Sequence, residues 1–156
     1  MKTAVIGYPE SLNLGDEIQS IAVERLLGNT ELRINREGLH KFKKNTPEEV
    51  KLICNGWFMT QPDHWPPSND ITPLFISMHI SKASKSDTKM FSPEGIAYFK
   101  KYQPIGCRDN GTKALFLKHG IEAYYSGCMT LTLEKPEHIL KNNKILLVDP
   151  FRTNYD

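Results

Sequence analysis

Residues Pro104 to Leu133 read PIGCRDNGTKALFLKHGIEAYYSGCMTLTL, and the alternation of apolar runs with breakers in this stretch decides the fold class. Ile105 opens a short apolar strand that leads into Cys107, Arg108 and Asp109. Ala114, Leu115, Phe116 and Leu117 then form an apolar helical run that Gly120 can stop. Ile121 to Tyr125 follows at once as a second strand. Two strands joined through one helix make a right-handed crossover, so they run parallel and end on the same edge of the sheet. That edge carries Arg108, Asp109, Ser126, Gly127 and Cys128. In open α/β sheets ligands bind beyond the carboxyl ends of the strands, so the stretch predicts both an α/β class and the location of a site.

The rest of the chain extends the same pattern. Lys2 to Tyr8 reads as a buried strand, and Ile18, Ile21, Ala22 and Leu26 mark one face of a helix closed by Gly28. Between them Asn13-Leu14-Gly15-Asp16 makes a turn with two readings: Asn13 and Asp16 cap the helix, or they hold hydroxyl groups of a ligand. Leu32 to Arg36 is a candidate second strand, and Pro47-Glu48-Glu49 a helix or turn start. Val50 to Cys54 is a clearer strand, and it delivers Asn55, Gly56 and Trp57 to the carboxyl edge. Trp57 and Trp65 flank a proline-rich loop, where each either packs against the protein or stacks on a sugar or base. Pro73 to Ile80 is another strand, ending with His79 as a core or ligand-contacting imidazole. Ser81 to Thr88 reads as a polar loop. Ser92-Pro93-Glu94 starts a helix that runs to Lys100 and Lys101. After a polar connector or short helix from Glu134 to Asn143, Lys144 to Val148 is one more strand, broken by Asp149-Pro150. The expected architecture is a mainly parallel sheet with helices on both faces.

A length of 156 residues suits one domain, and 20 basic against 18 acidic residues leave a net charge of +2. That balance is too slight for an electrostatic footprint on nucleic acid, and the cluster His40-Lys41-Phe42-Lys43-Lys44 reads as a solvated helix face. No signal peptide or membrane span is evident, which points to the cytoplasm. The three cysteines lack a Cys-x-x-Cys spacing and the five histidines lack zinc-ligand spacing, so reduced thiols and no structural metal are expected. Gly106 to Lys113 approaches a phosphate-cradling loop, but Thr112 precedes Lys113 where the chemistry needs Lys before the hydroxyl. The first strand is not followed by G-x-G-x-x-G, which argues against a dinucleotide, and no other cofactor is expected.

Taken together, Asn13 to Asp16, Asn55-Gly56-Trp57, PIGCRD at Pro104 to Asp109 and SGCMTLTL at Ser126 to Leu133 resemble the polysaccharide pyruvyl transferase family over most of the chain. GCRD followed by Thr112, and SGC with the alternating Thr-Leu segment, are the most specific parts. The resemblance implies a Rossmann-like domain, similar to the amino-terminal half of a GT-B two-domain fold. Residues 1–149 would form the acceptor-side domain, and 150–156 a tail or the start of a linker. It implies an acceptor that is a sugar or a lipid-linked saccharide, and pyruvyl transfer from phosphoenolpyruvate to a pair of its hydroxyls. The family's Arg-Leu-His motif has no counterpart here, so phosphoenolpyruvate enters only with a second domain and the isolated chain is expected to lack the activity. Asp16 and Asp109 are then candidate catalytic groups, and Asn13, Gly15, Asn55, Gly56, Trp57, His79, Arg108, Ser126, Gly127 and Thr130 candidate substrate-binding groups. Arg108 has two roles open to it, a fork for phosphate or carboxylate or an ion pair with a helix-capping Asp109. Two other readings stand beside this one: a GT-B glycosyltransferase fragment, or a non-catalytic sugar-binding or assembly module that self-associates through the open wall.

Overall fold

The computed structural model describes residues 1–28, 30, 32–58, 61–81 and 89–135. Six parallel strands, β1 (Lys2–Gly7), β2 (Leu32–Asn35), β3 (Val50–Phe58), β4 (Ile71–Ile80), β5 (Ile105–Cys107) and β6 (Ala123–Tyr125), form one open sheet in the order β2-β1-β3-β4-β5-β6. Three α-helices lie wholly within the described residues, α1 (Leu14–Leu27), α2 (Pro93–Lys101) and α3 (Asn110–Lys118). This is the expected α/β, Rossmann-like arrangement. The strand expected at Lys144 to Val148, and most of the connector before it, lie outside the described residues, as does most of the polar loop after Ser81. No helix among the described residues is long and apolar enough to cross a membrane.

Local chemistry sets the helix starts. The Asn13 side chain accepts from the Gly15 amide, Ser92 caps α2 ahead of Pro93, and Asp109 caps α3 through the Thr112 amide. Around Pro47, where a helix or turn start is expected, the chain makes a bend and no helix forms. The Arg36–Lys41 segment is a 3-10 turn, with Lys43 and Lys44 beyond it in irregular chain.

The two faces of the sheet are built differently. On one, α2 and α3 press aromatic side chains onto β3 and β4: Phe58, Trp65, Phe75, Phe91, Tyr98, Phe99 and Phe116 are all buried and in mutual ring contact. Trp65, a candidate stacking platform, stacks instead on Phe99 at 4.8 Å and is core. Its apolar ring gains more from the dry interior than a surface position offers.

On the other face α1 buries Asp16, Gln19, Ser20, Ala22 and Val23, while Ile21 and Leu26 are 40% and 58% exposed. Of the expected apolar face, Ala22 packs inward and Ile18 is partly buried, while Ile21 and Leu26 point outward. The reason is close approach: the Ser20 hydroxyl donates to the Ile6 carbonyl and the Gln19 carbonyl accepts from the Asn55 amide, so small and polar groups fit where Leu does not. Gly56 serves the same approach, since its φ of +89° and a Tyr8 hydroxyl 2.8 Å from where a Cβ would stand exclude a side chain.

One irregularity matters for the site. β3 and β4 stay in register from Val50↔Ile71 to Cys54↔Phe75, then resume at Gly56↔Met78. The extra residue in β4 is a bulge, and Ser77 within it has φ +54°. Beyond the bulge Trp57 pairs with His79, so these two side chains project on the same face of neighbouring strands.

Candidate functional site

All six strands point their carboxyl ends the same way, so the residues that follow them share one edge. The chain leaves β1 toward β2 on one side and then crosses back to build β3 to β6 on the other. Strand ends at such a reversal diverge and leave a crevice. The crevice is present: a cleft of about 480 Å3 is lined by Tyr8, Ser11, Asn13 and Asp16 after β1, Arg36 and Glu37 after β2, and Trp57 at the end of β3.

Arg36 is its centre, although only 5% of it is exposed. Its Nε donates to Glu37 Oε1 at 2.7 Å, its Nη1 to the Trp57 carbonyl at 3.2 Å, and Nη1 lies 3.6 Å from Asp16 Oδ2. The guanidinium carbon sits 4.9 Å from the Tyr8 ring and 5.2 Å from the Trp57 ring. A planar cation that bonds along its edge and stacks through its face is a role for Arg that Lys cannot fill. Asp16 also accepts from the Ser11 hydroxyl at 2.7 Å. Burial pushes the Tyr8 phenol well above its ordinary range, against the pull of Arg36, so it stays a neutral donor, here to the Asn55 carbonyl at 3.3 Å.

A second cluster follows β4, β5 and β6. His79 Nδ1 lies 2.6 Å from Asp109 Oδ2, the Thr112 hydroxyl donates to the same oxygen at 3.0 Å, and the Thr112 amide donates to Oδ1 at 2.8 Å. Burial raises the Asp109 carboxyl, but the Thr112 amide, His79 and the Thr112 hydroxyl outweigh it and hold the group below the usual range. Ser126 and Gly127 clip the β4 bulge: the Ser77 amide donates to Ser126 Oγ at 3.0 Å, and the Ser77 hydroxyl donates to the Gly127 carbonyl at 2.8 Å. Cys128 Sγ lies 3.3 Å from Gln19 Nε2 and 3.0 Å from Thr130 Oγ1. Burial raises this thiol, and the hydrogen bonds of Thr130 and Gln19 with the charge of Arg108 bring it below its ordinary value.

The structure thus brings Asn13, Asp16 and Trp57 to the first cleft, and His79, Arg108, Asp109, Ser126, Gly127 and Thr130 to the neighbouring strand ends. Gly15 is not in the cleft lining and lies in the first turn of α1, where its amide donates to Asn13 Oδ1. Asn55 is 0% exposed beneath α1, where its side-chain Nδ2 donates to the Gln19 carbonyl and its backbone oxygen accepts from Tyr8, while its side-chain Oδ1 has no partner among the described residues. Gly56 lies under Tyr8. Of the two roles open to Arg108, the pairing with Asp109 is not what forms, because His79 takes that carboxylate. Tyr8, Ser11, Arg36 and Glu37 are site residues that the sequence motifs do not mark, and Thr112, marked only as part of the GCRD segment, is the group that holds Asp109. Only the Arg-Glu pair directly after a strand was available as a signal, and nothing local told which strands would flank it. Among the described residues no three His, Cys, Asp or Glu side chains converge as a metal site. Comparisons with family models, with curated proteins and with solved structures give no match.

Proposed function

We propose that this chain binds a saccharide in the cleft between β1, β2 and β3, as the acceptor half of a pyruvyl transferase. The observation that carries the reading is the pairing of an indole and a phenol with Asp16, Glu37, Arg36, Ser11 and Asn13 around an open crevice. A pyranose presents an apolar face and a rim of hydroxyls, and recognition needs an aromatic platform with fixed acceptors and donors at its edge. Asp16 and Glu37 supply acceptors held in place by Arg36, and Asn13 and Ser11 lie at the cleft mouth. The resemblance in the GCRD and SGC segments supports the specific transfer, with phosphoenolpyruvate and the completing second domain as partners and the cytoplasm as the compartment. The acceptor on this reading is a sugar or a lipid-linked saccharide.

The test is a titration of the labelled chain with methyl glycosides of galactose, glucose, mannose and N-acetylglucosamine, followed by the two indole N–H resonances. Trp57→Phe assigns the resonance that should move. A shift confined to Trp57, abolished by Arg36→Ala in a variant that keeps the dispersed spectrum, is the expected result. If every glycoside leaves the Trp57 signal in place at saturating concentration, the saccharide reading is wrong.

A further inference from the structure

We propose that His79 and Asp109 form an acid-base pair in which His79 Nε2 accepts the proton of a ligand hydroxyl and Asp109 acts only through the imidazole. The inference rests on the saccharide reading of the adjacent cleft and adds to it the group that would activate the sugar. Asp109 is otherwise the natural candidate for that base, being an acid just beyond a strand. The geometry removes it from that role: Oδ1 is occupied by the Thr112 amide, and Oδ2 by both His79 Nδ1 and the Thr112 hydroxyl. A carboxylate with both oxygens engaged is an anchor rather than a free base.

The same contacts define the imidazole. An ionised carboxylate only accepts, so the hydrogen in the 2.6 Å contact sits on His79 Nδ1, and the neutral ring carries its lone pair on Nε2. Among the described residues Nε2 has no partner, and the side chain is 30% exposed. Thr112 fixes Asp109 twice, through its amide as the cap of α3 and through its hydroxyl, which also accepts from the Ile80 amide at 3.2 Å. Such bracing holds the ring at a set angle and tautomer. Position completes the argument. His79 is the register partner of Trp57, one strand spacing of about 4.8 Å away on the same face, within the width of one sugar ring. A saccharide stacked at Trp57 and extending along the edge therefore meets Nε2. The hydroxyl proton passes to Nε2, giving an imidazolium beside the Asp109 carboxylate, and the oxygen keeps the electron pair as the nucleophile.

Long-range proton-nitrogen correlation spectra of the full chain, recorded where imidazole is neutral, test this directly. His79→Gln assigns the ring among the five histidines. Expected is the Nδ1–H tautomer in the native chain and loss of that preference in Asp109→Asn, in which Asn still caps α3. Any methyl glycoside that shifts the Trp57 indole should also shift His79 Nε2. A native Nε2–H tautomer overturns the pair. So does a glycoside that moves Trp57 and leaves Nε2 unmoved, a result under which the cleft still binds sugar. If no glycoside moves Trp57, the saccharide reading and the base role fall together, even with the Nδ1–H tautomer observed.

Discussion

At the scale of single residues, the cleft depends on one buried cation. Arg36 is in contact with two carboxylates and two rings. Replacing it by Leu strands Asp16 and Glu37 with little access to water, and breaking a buried pair in this way costs about 3 kcal/mol. Arg36→Lys should recover only part of that, because an ammonium cannot bond Glu37 and the Trp57 carbonyl while stacking on Tyr8. Urea denaturation of the three proteins gives the ranking, and equal stability of Arg36→Leu and the native chain would show that the network contributes nothing. A second residue-scale expectation concerns the thiols. Burial raises Cys54 far above its ordinary range and pushes Cys107 up to about 12, whereas Cys128 is half-buried and lowered. Thiolate is the reactive species. Iodoacetamide at neutral pH should therefore label Cys128 first, as read by peptide mass; simultaneous labelling of all three would contradict the described environment.

At the scale of elements, the β4 bulge and the β6 turn act as one unit. Ser77 is 1% exposed with a left-handed backbone, and its amide donates to the Ser126 hydroxyl. Ser126→Ala orphans that buried amide and should destabilise by about 1–3 kcal/mol, whereas Ser126→Thr keeps the hydroxyl. Faster amide exchange at Ser77 in the Ala variant localises the effect. The cap of α3 makes a pH-dependent contribution. The folded Asp109 carboxyl lies below its ordinary 3.8, so its stabilisation is complete above that value and is lost as pH falls through the folded value. The stability gap between the native chain and Asp109→Asn should accordingly close in acid, and a gap that stays constant from neutrality downward would show that the carboxylate charge is not what matters. These elements also show what sequence can disclose. Strands β3 and β4 were legible because both sides of a parallel sheet interior want apolar residues, giving continuous runs such as LIC and PLFISMHI. The caps at Asn13, Ser92 and Asp109 were legible because capping is local. The bulge was not, since an extra residue in β4 is defined only by its register with β3.

At the scale of the whole molecule, the cleft and the stability gradient have a common origin in the order β2-β1-β3-β4-β5-β6. The edge location of Asp16, Trp57 and Asp109 could be read from strand order, because parallel strands aim their ends together. The grouping around Arg36 could not, because it depends on β2 returning beside β1 and on Tyr8 and Trp57 arriving from separate strands. The orientation of α1 was misread in part for a related reason. Periodicity finds an apolar stripe at Ile18, Ile21, Ala22 and Leu26, of which Ala22 is buried and Ile21 and Leu26 are exposed, because the sheet beneath α1 presents Asn55, Gly56 and a backbone carbonyl and takes Ser20 and Val23 beside Ala22. The two faces must then differ in strength. α2 buries Tyr98 and Phe99 in a ring cluster, whereas α1 buries small and polar groups, and apolar burial contributes on the order of 25 cal/mol per Å2. Local opening should follow that difference. Amides of β3 at Leu52 and Ile53, paired on both sides by β1 and β4, should exchange slowest. Those of α2 should come next, and those of α1 and the three-residue edge strand β6 should exchange fastest among the regular elements. Hydrogen exchange followed by mass spectrometry gives this ordering in one experiment. Protection of α1 equal to or above that of β3 would mean that its few polar contacts hold it as firmly as the aromatic core holds the sheet, and the assignment of stability to the aromatic face would have to be abandoned.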